Sequence, residues 1–265
     1  MFRNSTLTIA TISALALAGS AHAGFDDFES FTLNQSINGQ GQWTVEDSFG
    51  NSAELFDEAI IDDGTGNKVW QFSNEIRSTS YSNQPFSSKP ALVAGETGAQ
   101  LYNDYGVDHT MPNNPPLPSA VAGSNFFYGA WDFKSATGAA QPDLSLTVSP
   151  GGTQSTLRMS YLNMVDSGAG FDLVFYDTIG STFNGPTTVA SGLSYTDWHK
   201  VEMFIEFVDG IGPGAAGSEA GNDIVKILVD GNLVHTGTTW ESYYYNNADG
   251  GPAVLPRAVD SLLFR

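Results

Sequence analysis

The chain has 265 residues, with 29 acidic against 10 basic side chains, a formal net charge of −19 and no cysteine. Such a charge repels phosphate backbones and anionic lipid headgroups, which argues against nucleic-acid and charged-membrane partners; hard cations such as calcium and neutral glycans stay compatible. Without cysteine there is no disulfide framework, no thiolate metal site and no cysteine nucleophile.

Arg3 gives a short basic start, residues 6–19 form an apolar and small-residue run, and Ala21-His22-Ala23 has the A-x-A form of a cleavage site. Together they predict a secretory signal peptide over residues 1–23 and export to the periplasm, the cell surface or the medium. The run is shorter than the roughly 20 apolar residues of a membrane span, and no later segment approaches that length, so no span is expected. Residues 24–265 have the length of a single all-β sandwich that can bury a sizeable core.

Residues 24–44, GFDDFESFTLNQSINGQGQWT, read as an edge-like strand over 25–31 and then a glycine-rich turn leading to Trp43. Residues 52–59 allow one short helical turn. Asp63-Gly64-Thr65-Gly66-Asn67 is a turn signal, and KVWQFSN at 68–74 predicts a strand by its alternation. Residues 75–98 are polar and irregular. MPNNPPLP at 111–118 predicts a surface loop, because its four prolines lack amide donors and fix φ.

From residue 125 the strands recur as NFFYGAWDFK, DLSLTVS, TLRMSYLNM and GFDLVFYDT, each bounded by turn residues. The block 197–240 reads as strand, small-residue loop and strand, then a tight turn at Asp230-Gly231 and a last strand. Asp-Gly tolerates the positive φ that a two-residue hairpin requires. Short strands at even spacing, with no internal repeat and little helical periodicity, predict an all-β antiparallel sandwich or barrel.

Alternation sorts the faces, because successive side chains of a strand point to opposite sides. In HKVEMFIEF, Val201, Met203, Ile205 and Phe207 form an apolar face opposite Lys200, Glu202, Phe204 and Glu206. Phe127, Trp131 and Phe133 likewise lie opposite Tyr128, Asp132 and Lys134. Arg158 and Ser160, and Asp172 and Tyr176, mark the polar sides of their strands. Trp43, Trp70, Trp131 and Trp198 are expected in the interior. Trp240 and Tyr243-Tyr244-Tyr245 are expected to pack over one end of the sandwich.

Several stretches, DDFESFTLNQSINGQGQW, KVWQFSNEIRSTSYSNQPFSS with Ala94-Gly95-Glu96 after it, DWHKVEMFIEFVDG, NDIVKILVDGNLVHTGTTWESYY and VDSLLFR, resemble the concanavalin A-like lectin/glucanase jelly-roll superfamily. Within it they are most similar to a group of secreted bacterial domains without a settled activity. The resemblance spans 24–265 and implies a jelly roll of two antiparallel sheets. Relatives continue past the LLFR strand into one more strand beside the first, so the expectation is either that this strand is missing, as in a truncated fragment, or that the strand over 25–31 is a weakly ordered edge without that neighbour.

The polar face, which a curved jelly-roll sheet presents on its concave side, supplies a candidate carbohydrate-binding set: Tyr128, Asp132, Arg158, Asp172, Tyr176, Lys200, Glu202 and Glu206. Planar hydrogen-bonding groups and aromatic platforms are what a glycan requires. Glu202 and Glu206 share a face but lie about 13 Å apart at roughly 3.3 Å per residue, too far for a glycosidase pair. The E-x-D-x-x-E pattern of jelly-roll glucanases and the signatures of jelly-roll alginate lyases are absent, so no catalytic residue is assigned.

For calcium, Asp26, Asp27 and Glu29 offer oxygen donors, with Asp62/Asp63 and Asp104/Asp108 as alternatives; a calcium between first and last strands is what the resemblance loosely implies. His109, His199 and His235 lack a second ligand at metal spacing. The sequence thus predicts an exported, non-catalytic module that binds polysaccharide or serves the cell surface or matrix. The alternatives are a glycoside hydrolase or lyase using the same face, and a structural surface protein without a small ligand.

Overall fold

The computed structural model describes residues 27–41, 43, 45, 58–72, 87–90, 126–151, 160–179, 182–206, 223–240, 243 and 261–265. The leader at 1–23, the proline loop at 111–118 and the loop at 211–221 lie outside them. The strands, in chain order, are β1 (Glu58–Asp62), β2 (Lys68–Phe72), β3 (Ser87–Pro90), β4 (Phe126–Phe133), β5 (Ser145–Gly151), β6 (Leu162–Asp166), β7 (Phe171–Ile179), β8 (Thr182–Leu193), β9 (His199–Glu206), β10 (Ile224–Val229), β11 (Asn232–Thr238) and β12 (Ser261–Phe264).

They form a four-stranded sheet in the order β11-β10-β9-β4, a six-stranded sheet in the order β3-β12-β5-β6-β7-β8, and the hairpin β1-β2. Every pairing is antiparallel. The fold is an all-β sandwich of the jelly-roll kind.

The alternation of β9 dictates which way it faces. Val201, Met203 and Ile205 are fully buried, while the residues between them reach towards solvent. Burying each such side chain stabilises the fold by about 1.5–3 kcal/mol. Opposite them stand Leu162 and Met164 of β6 and Phe171, Leu173 and Phe175 of β7, all in one core cluster. Edge-on contact of Phe133 with Phe171 at 5.6 Å, and of Trp131 with Phe264 at 6.3 Å, joins the two sheets across that core. Trp43 and Trp70 pack on the same Phe264 ring.

The β10–β11 hairpin turns at Asp230 (φ 50°) and Gly231 (φ 76°), the positive-φ pair that Asp-Gly predicts. The β1–β2 turn is held by Asp62 Oδ1, which accepts from the amides of Gly64 and Gly66.

Four expectations change. Within 25–31 the described residues form a turn rather than a strand. Phe28 takes φ 61°, Phe31 N donates to Phe28 O at 2.9 Å, and Asp27 Oδ1 accepts from Glu29 N. Glu58 and Ala59 open β1 instead of closing a helical turn, because pairing with β2 satisfies their backbone. The strand expected over 156–164 begins only at Leu162 among the described residues. Neither β3 nor β8 is foreseen: β3 is a short SSKP segment recruited by β12, and β8 contains Gly185-Pro186, which reads as a breaker.

Candidate functional site

The β4–β9 register sets side chains of the two strands in facing pairs on the outer surface of the four-stranded sheet. Asp132 lies opposite Lys200, Ala130 opposite Glu202, and Tyr128 opposite Phe204. Tyr128 is 39% exposed, and its ring rests 4.6 Å from that of Phe204. Its hydroxyl donates to Glu202 Oε1 at 2.7 Å, and Lys200 Nζ donates to the same oxygen at 3.1 Å. An aromatic ring is thereby fixed by packing on its side and by a hydrogen bond at its tip.

The electrostatics follow from that geometry. Donation from the Tyr128 hydroxyl holds the Glu202 carboxyl below its ordinary range, against the opposing effect of partial burial and with help from Lys200. Burial, then the neighbouring carboxylate, pushes the Tyr128 phenol up. The hydrogen bond to Glu202 raises Lys200. Glu202 is therefore a fixed anion and Tyr128 a neutral donor, which suits binding better than proton transfer. Farther along β9, Glu206 Oε2 lies 3.7 Å from Lys226 Nζ of β10.

Of the eight residues expected to share a face, Tyr128, Asp132, Lys200, Glu202 and Glu206 come together here. Asp172 and Tyr176 do not: they project from β7 on the outer side of the six-stranded sheet, with the core between them and the first group. Asp172 Oδ1 accepts from Gly192 N at 2.9 Å and so braces β8. Tyr176 meets Tyr161 edge-on, and its carbonyl accepts from Trp240 Nε1. Trp240 stacks on Tyr161 and meets Phe183 and Tyr243, forming an aromatic cap on that side. Arg158 lies outside the described residues. Alternation separates the two faces of a strand but does not say in which sheet the strand sits.

Trp198, expected inside, is 45% exposed with Lys134 Nζ 4.8 Å from its ring centre. The signal was present in the sequence. Counting back from Val201 places residue 198 on the same side as Lys200 and Glu202.

The two described histidines serve as ties, and His109 lies outside the described residues. His199 Nδ1 lies 2.8 Å from Asp230 Oδ2, and His235 Nε2 lies 3.0 Å from Asp177 Oδ2. His199 is the main reason that the Asp230 carboxyl sits below its ordinary range.

Of the residues proposed for calcium, Asp27, Glu29, Asp62 and Asp63 lie among the described residues, and Asp104 and Asp108 lie outside them. Glu29 Oε1 accepts from the Lys68 backbone amide, and Lys68 Nζ donates to the backbone carbonyls of Glu29 and Phe31, so an ammonium stands beside the proposed donors. Asp26 lies outside the described residues. Among the described residues no group of three or more His, Asp or Glu side chains could hold a metal ion, and no helix is long and apolar enough to cross a membrane. No protein-family model, curated protein or solved structure matches the chain.

Proposed function

We propose that the chain is an exported, non-catalytic carbohydrate-binding module with a concanavalin A-like jelly-roll fold, and that it holds polysaccharide on the outer face of the four-stranded sheet. The observation that carries this reading is the solvent-facing Tyr128 ring, set by Phe204 and pinned through its hydroxyl to a Glu202 that also accepts from Lys200. An aromatic face takes the C–H side of a sugar ring, and the carboxylate and ammonium beside it match its hydroxyls. A ring already fixed loses little entropy on binding. Engagement of Glu202 by two donors, and its distance from Glu206 of about 13 Å along the strand, support binding over hydrolysis.

Export rests on the leader pattern at 1–23, and cell fractionation tests it. For the ligand, a glycan array followed by product analysis on the same polysaccharides is decisive. Binding without turnover, weakened about tenfold or more by Tyr128→Ala, is expected. Chain cleavage abolished by Glu202→Gln would instead make the protein an enzyme, and silence in both assays would leave a structural surface protein.

A further inference from the structure

The same face carries a second exposed aromatic residue, Trp198. Tyr128 and Trp198 are both large exposed hydrophobic residues, and they stand at opposite ends of one ladder. The facing pairs of β4 and β9 run Tyr128–Phe204, Ala130–Glu202 and Asp132–Lys200, and the next step brings Lys134 over Trp198. From the Tyr128–Phe204 step to Trp198 the strand covers about 20 Å at roughly 3.3 Å per residue, the length of roughly four linked sugar rings and beyond the reach of one. Between the two rings lie Asp132, Lys200 and Glu202, alternating acceptor and donor, with the small Ala130 leaving the middle low.

The charges on this strip also select. Lys200 is held by Glu202 and Lys226 by Glu206, Lys134 lies over the Trp198 ring, and Asp132 takes part in no ion pair among the described residues. A carboxylate or sulfate on a ligand would have to displace one of those glutamates or draw Lys134 off the Trp198 ring, and would face the chain's net charge of −19. Sugar hydroxyls can donate to the carboxylates without that cost.

We infer that the face is a linear strip for an extended, uncharged polysaccharide chain lying along β4 and β9, with Tyr128 and Trp198 as its two end platforms. This rests on the carbohydrate-binding reading above and specifies its ligand. Two platforms on one rigid sheet act on one chain as linked sites, so affinity grows once the chain spans both.

The test is calorimetric titration of the intact protein with neutral oligosaccharides, β-glucan, xylan and mannan fragments, from disaccharide to hexasaccharide, beside the matching range of uronate oligomers. Affinity should rise by about tenfold or more between disaccharide and hexasaccharide for one neutral series, and uronates should bind far more weakly. In Trp198→Ala the hexasaccharide should bind no better than the disaccharide does, with the thermal melt of this exposed-site variant showing that it is folded. A rise that stops at the disaccharide, or a Trp198→Ala variant with the parent affinity for the hexasaccharide, overturns the strip while leaving carbohydrate binding in place. Uronates that bind as tightly as neutral chains overturn its selectivity. Failure of every glycan to bind overturns both the strip and the function it rests on.

Discussion

The Tyr128 hydroxyl is a small group that sets the properties of three side chains. Removing it in Tyr128→Phe keeps the ring on Phe204 but takes away the donor that lowers Glu202. The Glu202 carboxyl should then titrate closer to the ordinary glutamate range, as read by carbon-detected NMR; an unchanged midpoint would show that Lys200 alone holds it. The sign for stability follows from linkage. The folded-state value of Glu202 lies below the unfolded one, so its contribution is present above the unfolded pKa and disappears as pH falls through the lowered folded value. Such a solvent-facing pair contributes about 1 kcal/mol or less, so the variant should lose little stability at neutral pH and approach the parent in acid. Residue by residue, the sequence exposes the chemistry of Tyr128, Glu202 and Lys200, because a period of two orders them. It misplaces Trp198, because a bulky indole is read as core unless its parity is counted.

Between elements, β11 is clasped to β7 at the edge of the sandwich. Asp177 accepts from Thr238 N and pairs with His235; Thr178 and Thr238 exchange hydroxyl bonds with the facing backbone; and Trp240 donates to the Tyr176 carbonyl. Gly237 lies inside this clasp, where a Cβ would overlap the Asp177 carboxylate and the His235 ring. Asp177 is held from two sides and cannot swing away freely, so Gly237→Ala should destabilise the protein by about 1–3 kcal/mol. A urea midpoint equal to that of the parent would refute this. Elements with a regular apolar alternation, such as β4, β9 and β10, are legible in the sequence. Strands β3 and β8 are not, since their extended state comes from the hydrogen bonds of neighbours β12 and β7 rather than from their own residues.

For the whole molecule, charge is the dominant global property. With −19 on a single chain, self-repulsion opposes compaction, and added salt screens it. The melting temperature should therefore rise by a few degrees, about 2–4 °C per kcal/mol for a chain of this size, on going from low to moderate sodium chloride. A melting temperature that falls with salt would mean that favourable ion pairs such as Lys200–Glu202 outweigh the repulsion. Binding of an uncharged carbohydrate at the strip should show little salt dependence beside it.

By itself the sequence determined the all-β class, the antiparallel hairpin at Asp230-Gly231, the inward set Val201, Met203 and Ile205, and the polar partners on the other side of β9. These follow from alternation and from the φ preferences of single residues, which are local properties of a chain. Only the tertiary structure decided that Asp172 and Tyr176 stand across the core from Tyr128 and Glu202, that residues 27–31 turn instead of pairing, and that Trp198 ends the same ladder as Tyr128. Those outcomes depend on which strand hydrogen-bonds to which, a choice made between segments far apart in sequence and settled by burial of the shared core.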